Sequence, residues 1–357
     1  MKTLISQVLI YVLIVFTICQ KPNLEADPQL FIQFQNFIKA YNKTYNSGTE
    51  WMYRLEVFRD NFQQLQTMLN KTQLKSAVGI TDFFDLTPQE FKRKYLNLDI
   101  TLLDLVEAQK PENSLKETLD AQMSLKSGSR NCTETDNLLR AIPVSLDWRT
   151  RGAVGPVRNQ GSCGCCWAFS TVSNLQSRHF LKYGVLESFS EEMLLDCDTL
   201  NSGCNGGLMR DAFVYLRDYT SGAVRASDYP YTGVKNTCAA STMTAVTQVT
   251  GFTFAGTLDE DYIAQMLVNY GPLAVAVNAD NLQYYYGGIL DLSAPQCNPY
   301  GLNHAVNLVG YGEENGIKFW IVSNSWGAKW GEAGYFRIAR GKGTCGINRY
   351  VITSFVR

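Results

Sequence analysis

The chain has 357 residues, of which 45% are hydrophobic and 12% aromatic, so it is long enough to bury one large core or two smaller ones. The formal net charge is −1, and the sequence has no long basic run of the kind that nucleic-acid-binding proteins use. There are only two histidines, His179 and His304, so any catalytic imidazole is one of these two. We therefore expect no nucleic-acid partner, no bound metal and no other cofactor.

Residues 1–19 have the pattern of a signal peptide. A positive start at Lys2 precedes an apolar run over residues 4–18, which is short for a membrane span but sufficient for a signal peptide. The alternative, a membrane anchor, is disfavoured by that length. No later stretch approaches transmembrane length, so we expect a mature protein that is free of the membrane. A secretory route, ending in a lysosome or vacuole or outside the cell, would permit disulfide bonds.

The part of the chain that follows, about 28–97, is predicted to be helical. Apolar residues recur at helix spacing over 31–41 and again over 55–69, and Thr87 before a proline is typical of the start of a third, short helix. From about residue 98 to 141 the pattern decays, and this stretch is interpreted as a linker. Three sequons for N-glycosylation occur before residue 142, at Asn42, Asn70 and Asn131.

The composition changes after residue 142. Short apolar pieces such as LAVAVNA, AVNLVGYG and KFWIVSNSW are separated by glycine and asparagine, which is typical of strands. Two helices are predicted before them, one from Cys166 to about Phe180 and one from Ser190 to Cys197, with Ser190 as a cap. The second part of the chain therefore changes from helix-rich to strand-rich, which indicates two lobes.

Three cysteines fall within the segment QGSCGCCWAF. Cys166 begins a predicted helix, and the positive end of the helix dipole would lower the pKa of its thiol and favour the nucleophilic thiolate. Cys165 falls at the cap position, and Cys163 lies in the preceding loop. The alternative is a redox pair formed by Cys163 and Cys166. Such pairs belong to thioredoxin-like βαβ units, and no such unit surrounds this one.

The segment NQGSCGCCWAFS resembles the nucleophile segment of papain-like cysteine proteases of the cathepsin L-type branch. The segments LNHAVNLVGYG and NSWGAKWGEAGYFRI are similar to that family's histidine and asparagine segments, and LLDCD and CNGGLM also fit. The resemblance covers residues 142–357, the expected peptidase domain. It implies an α+β fold with a helical lobe, an antiparallel barrel-like lobe and a cleft between them, preceded by a helical prosegment.

The resemblance also implies roles for single residues. Cys166 matches the nucleophile and His304 the base that holds it as a thiolate–imidazolium pair. Asn324 matches the residue that orients the imidazole, and Gln160 the donor to the oxyanion. Trp326 would cover the hydrogen bond between the histidine and the asparagine.

A hydrophobic pocket for the second residue before the scissile bond is expected from the same resemblance. Tyr350 would occupy its floor and shorten it, which predicts Leu or Val there over Phe or Arg. The alternative is an ordinary core tyrosine turned away from the cleft. The expected substrate-binding positions are Gly207, Leu208, Met209, Ala276, Asn303, Ala305, Trp326 and Tyr350. Asn303 stands where the family often has Asp.

Three disulfides are implied by the resemblance. The pairs are Cys163 with Cys204, Cys197 with Cys238, and Cys297 with Cys345. Cys165 is then left as an odd thiol beside the nucleophile, at a position where the family has Ser or Ala. It would be either inert or able to form a mixed disulfide that blocks the site.

Residues 20–141 resemble the inhibitory prosegment of the same branch. Its long-helix pattern is matched by spaced residues, namely Glu50, Arg54, Phe58, Asn61 and Leu65. In the family this segment lies through the cleft in the non-productive direction, so we expect an inactive zymogen with a mature enzyme beginning near Ile142. Acid should weaken the carboxylate contacts of the prosegment and accelerate its release.

Endopeptidase activity is favoured over exopeptidase activity because the gaps between motifs hold no long insertion that could block the cleft. The expected partners are polypeptide substrates, the chain's own prosegment and cystatin-like inhibitors, and the expected state is a monomer. The alternative function is that of a catalytically inactive homologue serving as a binding or storage protein. A missing Cys, His or Asn would favour it, and all three are present.

Overall fold

The computed structural model describes residues 28–70, 76–110 and 142–357. The chain divides into two compact units, residues 1–63 and 64–357, which are described separately. The predicted signal peptide, Asn131 and most of the predicted linker lie outside the described residues. None of the helices in the described ranges is long and apolar enough to cross a membrane.

The first unit is built around aromatic side chains on two helices, α1 (Pro28–Ala40) and the start of α2 (Gly48–Leu69). Phe34 and Phe37 of α1 each lie with their ring centroids 5.2 Å from that of Phe58 of α2, and the ring of Trp51 packs edge-on against Phe34. Phe34 and Phe58 are fully buried. The helix spacing of these residues in the sequence therefore predicts their packing correctly.

The upstream segment (residues 76–110) belongs to the second unit. Its first helix, α3 (Pro88–Tyr95), begins with a capping box in which the Thr87 hydroxyl accepts from the backbone N–H of Glu90 and the Glu90 carboxylate accepts from that of Thr87. The prediction of a helix capped by Thr87 is therefore confirmed.

A second helix in the upstream segment, α4 (Leu102–Glu107), falls inside the stretch that the sequence pattern assigned to a linker. That assignment is wrong for these residues. Thr101 and Asp104 form another capping box, and Leu105 is buried, so a cap and one apolar contact stabilise a helix too short to show periodicity.

Three helices form the first part of the region after residue 142. They are α5 (Cys166–Tyr183), α6 (Glu191–Cys197) and α7 (Met209–Asp218). The central α5 is buried along most of its length, and Gly184 ends it in the left-handed conformation, with φ 73°. Ser190 caps α6 as predicted, because its hydroxyl accepts from the backbone N–H of Met193.

The described strands form one sheet, and all of them except β1 (Leu146–Asp147) follow these three helices in the chain. One further α-helix in the described residues, α8 (Glu260–Tyr270), lies between the second and third strands. The described strands are β1 (Leu146–Asp147), β2 (Val249–Phe254), β3 (Leu273–Val277), β4 (Ile289–Leu290), β5 (His304–Glu314), β6 (Ile317–Ser323), β7 (Tyr335–Ala339) and β8 (Val351–Val356). Short 3₁₀ helices occur at Gly203–Asn205, Ala240–Thr242, Asp280–Tyr284 and Thr344–Gly346.

The sheet is open rather than a closed barrel. Its order is β2-β8-β3-β5-β6-β7-β4, with β1 paired to β5, and the end strands β2 and β4 are not paired to each other. The pairings between the strands of this sheet are all antiparallel except that of β4 with β7. The α+β class and the antiparallel character are confirmed, and the sheet of the predicted barrel-like lobe is open, with one parallel pairing at its edge.

Helix α5 packs against the sheet through buried polar as well as apolar contacts. Ser170 donates to the backbone carbonyl of Val306 in β5 over 2.9 Å, and Asn174 donates to that of Pro272, just before β3, over 2.8 Å. These bonds fix the first turn of α5 beside the first residues of β5. Cys166 is the first residue of α5 and His304 is the first residue of β5, so the contact brings both into one region.

Candidate active site

The N-terminus of α5 is held by a disulfide-bonded loop. Cys163 is bonded to Cys204 with 4.7 Å between their Cα atoms, and the backbone N–H of Gly164 donates to the carbonyl of Cys204 over 3.1 Å. Cys165 is the N-cap residue and its side chain makes no cap, so it satisfies none of the backbone N–H groups in the first turn of α5. The Cys166 sulfur lies at this positive end of the helix, where a thiolate is favoured.

His304 is oriented by Asn324. The ring Nε2 donates to Oδ1 of Asn324 over 2.8 Å, and the backbone N–H of Ser325 donates to the same oxygen over 2.9 Å. Asn324 directly follows β6, which pairs with β5, so the sheet places both residues. The ring of Trp326 stacks on that of His304 at 4.7 Å and covers the hydrogen bond.

Cys166 lies beside the start of β5. The backbone N–H of Ala305, the residue after His304, is close enough to the Cys166 sulfur to oppose the rise in the pKa of its thiol that burial causes. Both Cys166 and His304 are fully buried. Because Nε2 of His304 is engaged by Asn324, the other ring nitrogen, Nδ1, is the one left for a proton exchange, and among the described residues it has no hydrogen-bond partner.

Burial opposes charge on both groups. It raises the pKa of the Cys166 thiol to about 11, against the hydrogen bonds from neighbouring backbone N–H groups. It lowers the pKa of His304 to about 4, against the hydrogen bond to Asn324. In this covered state the neutral thiol and the neutral imidazole are therefore favoured over the ion pair.

Gln160 is buried beside Cys163 and is held on three sides. Its backbone N–H donates to the carbonyl of Ser325 over 2.8 Å, and the Ser325 hydroxyl donates to its side-chain oxygen over 2.6 Å. Its Nε2 donates to the carbonyls of Cys163, at 2.9 Å, and of Tyr95, at 3.4 Å. The amide that the sequence predicted as an oxyanion donor thus faces a peptide carbonyl of the upstream segment. The support from Ser325 was not predicted.

The upstream segment covers the site with an extended stretch after α3. The backbone N–H of Leu98 donates to the carbonyl of Asn303 over 3.2 Å, and that of Asp99 donates to the carbonyl of Gly207 over 3.1 Å. Leu98 pairs in parallel with Gly207, and the backbone N–H of Asn97 is close enough to the Cys166 sulfur to act on the pKa of its thiol. The chain therefore lies across the candidate nucleophile as a peptide ligand would.

The side chain of Leu98 is buried in the hydrophobic cluster that contains the predicted pocket residues. It is 8% exposed and belongs to a buried cluster with the predicted lining residues Leu208, Met209, Ala276, Ala305 and Tyr350. Tyr350 is turned into this cluster, with its ring 5.2 Å from Phe254, and burial raises the pKa of its hydroxyl. The position of Tyr350 at the pocket floor stays a prediction.

Trp326 has a second contact that the sequence did not indicate. Three aromatic side chains of the upstream segment surround it, with ring centroids 5.3 Å away for Phe83, 5.4 Å for Phe91 and 6.0 Å for Tyr95. The Gln283 amide also donates to the carbonyl of Leu86 over 2.7 Å. No motif marked Phe91 or Tyr95, because an aromatic residue in a short helix is indistinguishable from a core residue.

Cys165 is a free, buried thiol in the structure and faces away from the cleft. Its sulfur lies 3.1 Å from the hydroxyl of Tyr231, which itself donates to the backbone carbonyl of Gln160 over 2.7 Å. Because the phenol hydrogen is already used, the Cys165 thiol is the donor to Tyr231. Burial raises its pKa to about 12, so it stays protonated. His179 is buried between Tyr183 and Phe189, far along α5.

The structure contains the three disulfides that the resemblance implied, Cys163–Cys204, Cys197–Cys238 and Cys297–Cys345. The first and second each close a loop between residues 41 apart, and the third between residues 48 apart. Within the described ranges no group of three or more His, Cys, Asp or Glu side chains could hold a metal ion.

Comparison with known proteins shows which family this chain is similar to. A family model described as papain family cysteine protease matches residues 142–355, and one described as cathepsin propeptide inhibitor domain matches residues 34–91. Cysteine proteinase 1 of Dictyostelium discoideum is 36% identical over 98% of this chain and 99% of its own. Cysteine proteinase 15A of Pisum sativum is 40% identical over 90% of this chain and 85% of its own.

Solved precursor structures are similar in fold. A recombinant stem bromelain precursor is 31% identical with a TM-score of 0.74, over 92% of this chain and 99% of that one. Digestive procathepsin L2 from Tenebrio molitor larval midgut is 32% identical with a TM-score of 0.75, over 91% of this chain and 99% of that one. The chain belongs to the papain family of cysteine proteases, as a cathepsin-type endopeptidase preceded by its own inhibitory prosegment.

Proposed function

We propose that this protease cuts peptide bonds within polypeptides through a Cys166 thiolate and a His304 imidazolium, by way of an acyl-enzyme. The observation that carries the proposal is the orientation of His304, whose Nε2 is fixed on Asn324 at 2.8 Å while the backbone N–H of the residue after it is close enough to the Cys166 sulfur to act on the pKa of its thiol. An imidazole held in this way keeps one nitrogen for proton exchange with the thiol.

Acylation begins when the Cys166 thiolate attacks the carbonyl carbon of the scissile bond. The new carbon–sulfur bond places a negative charge on the former carbonyl oxygen. His304, protonated at Nδ1, then gives its proton to the leaving nitrogen as the carbon–nitrogen bond breaks. A thioester and a free amine result, and the imidazole is neutral.

Deacylation uses the same base with water. The neutral His304 takes a proton from water as the water oxygen attacks the thioester carbon. Collapse of the second tetrahedral intermediate breaks the carbon–sulfur bond, releases the carboxylic acid and restores the thiolate–imidazolium pair.

The oxyanion would be held by the side-chain amide of Gln160 and the backbone N–H of Cys166. In support, Nε2 of Gln160 already donates to a peptide carbonyl, that of Tyr95, in the covered enzyme. Ser325 orients this amide by donating to its oxygen, so the donor is fixed before substrate arrives.

Leu or Val is the proposed preference at the second residue before the scissile bond. Leu98 supports it, because its side chain is buried in the hydrophobic cluster that contains the predicted lining residues. Its backbone N–H donates to the carbonyl of Asn303, and that of the next residue, Asp99, donates to the carbonyl of Gly207. The fully buried ring of Tyr350 limits the depth of the pocket. None of the predicted lining residues Leu208, Met209, Ala276, Ala305 and Tyr350 carries a carboxylate, so an arginine there would lack a partner among them.

The biological setting is proposed from the sequence. Residues 1–19 would direct the chain into the secretory pathway, residues 20–141 would be removed, and the monomeric enzyme from about Ile142 would act in a lysosome or vacuole or outside the cell. Asn42 and Asn70 are both exposed, as glycosylation requires. Cystatin-like inhibitors, which would compete for the cleft, are proposed partners.

The test is hydrolysis of a fluorogenic peptide with Leu at the second position by enzyme activated in acid under reducing conditions. A thiol-reactive epoxide should abolish the signal with a stoichiometry of one, and Cys166→Ser zymogen should give none. Activity that survives the epoxide, or an activated wild-type enzyme that takes up the epoxide yet cuts no peptide, would overturn the proposal and favour a binding protein.

A further inference from the structure

Arg210, the second residue of α7, is held by three carboxylates. Its Nη1 donates to Asp104 over 3.0 Å and to Glu107 over 3.2 Å, and its Nε donates to Asp211 over 2.9 Å. Asp104 and Glu107 lie in α4 of the upstream segment, whereas Asp211 belongs to the enzyme itself. Removal of the prosegment therefore takes away two of the three carboxylates and leaves Nη1 without its partners.

The position of Arg210 places this cation at the rim of the pocket that receives Leu98. Arg210 follows two residues of the pocket lining, Leu208 and Met209, along the chain. Its charge is close enough to the hydroxyl of Tyr350 to oppose the rise in pKa that burial causes there. Its side chain is 25% exposed even under α4.

The course of the upstream segment shows which part of a substrate would meet this cation. The backbone N–H of Asn97 is close enough to the Cys166 sulfur to act on the pKa of its thiol, and Leu98 is buried in the cluster with the predicted lining residues. Asp99 then bonds Gly207, and the chain continues to α4 and Asp104. A substrate with its second residue in the same pocket would place the third and fourth residues in this direction. An extended chain advances about 3.3 Å per residue, so both are near the rim.

We propose that Arg210 is a specificity-determining residue of the mature enzyme, which selects substrates with an acidic side chain at the third or fourth residue before the scissile bond. This inference rests on the proposed function, since it assumes that the Leu98 pocket receives the second residue. The carboxylates of Asp104 and Glu107 in the zymogen occupy the place that the substrate carboxylate takes. A guanidinium with two free donors can bind such a carboxylate in a fork.

The test uses activated wild-type enzyme and fluorogenic tetrapeptides with Leu at the second position and a common first residue. Two matched pairs differ only in Glu against Gln, one pair at the third position and one at the fourth. We expect kcat/KM to be about fivefold higher for Glu in at least one pair, which corresponds to ~1 kcal/mol. The difference should appear mainly in KM and should shrink as salt is raised.

Variants test whether Arg210 causes the preference for Glu over Gln. Arg210→Gln should bring the Glu-to-Gln ratio to about one, and Arg210→Glu should bring it below one. Arg217→Gln is the matched control on the same helix, because Arg217 pairs only with Asp218 and the ring of Phe252 among the described residues. This control should leave the ratio unchanged, and titration with the epoxide fixes the active concentration of each variant.

The possible outcomes are distinct. A ratio of one in both pairs for the wild type, or a preference that survives Arg210→Gln, would overturn the inference and leave Arg210 as an anchor for the prosegment alone, with the proposed function intact. Failure to cut any of the four peptides would overturn the proposed function instead.

Discussion

The backbone N–H of Leu98 donates to the carbonyl of Asn303, one residue before His304, over 3.2 Å. Through this bond and the burial of its side chain, Leu98 holds the upstream segment against both walls of the cleft. The upstream segment thus bonds the backbone at two predicted substrate-binding positions, Asn303 and Gly207, and Cys166 and His304 are fully buried in this state.

Leu98→Ala should make the zymogen leaky. Loss of a buried leucine side chain costs about 2 kcal/mol or more, which corresponds to roughly a 30-fold larger open fraction. The measurement is hydrolysis of a small fluorogenic peptide by unprocessed zymogen at neutral pH. Leu102→Ala is the control, because Leu102 is in the same segment but 69% exposed. Equal leakage from the two variants would show that Leu98 does not close the site.

The pH dependence of opening should include a contribution from His304 that is clearest in the Cys166→Ser zymogen, where no thiolate can pair with the imidazole. Burial lowers the pKa of His304 to about 4 from its ordinary value near 6.5. A proton on this ring therefore favours the open form. Opening should increase as pH falls from about 6.5 to about 4, and the gain should be complete below that range.

Digestion of that zymogen by a trace of mature enzyme measures its opening. Cys166→Ser/His304→Gln, which cannot titrate at position 304, is the reference, and the ratio of the two rates at each pH removes the pH dependence of the protease and of the carboxylates. The ratio should rise severalfold between pH 6.5 and 4.5. A constant ratio would show that His304 takes no part.

Asn324→Ala should lower kcat by about 10²-fold with little change in KM, because the imidazole loses the bond that fixes its orientation. Asn348→Ala is the matched control, since Asn348 donates to the carbonyl of Leu258, away from the site. Steady-state kinetics with active-site titration decide the matter. A kcat close to that of the wild type would mean that Trp326 alone holds the ring.

Replacement of each of the two adjacent cysteines, Cys165 and Cys166, by serine should have opposite effects on hydrolysis. Cys166→Ser should abolish hydrolysis, whereas Cys165→Ser should keep it within about threefold, because a serine hydroxyl can also donate to Tyr231. The same pair should differ in alkylation, with intact mass locating the reagent on Cys166. Hydrolysis by the Cys166→Ser protein would overturn the choice of nucleophile.

The sequence alone was sufficient for the family and the α+β class, and it predicted the central residues of the site. These depend on dense local motifs, such as the one around Cys166, in which each residue type is required by chemistry at a fixed spacing. The helices of the first unit followed from the periodic aromatic residues, and the capped start of α3 from Thr87 and the proline after it.

The tertiary structure decided what depends on residues far apart in the chain. The open sheet follows from which strands pair, and the helix at Leu102–Glu107 from a cap and one buried leucine rather than from a pattern. The contacts of Leu98 with Asn303 and Gly207, and those of Arg210 with Asp104 and Glu107, join positions about 100 to 200 residues apart. No local pattern records such contacts, because they arise only when the chain has folded and burial and charge pairing act across the cleft.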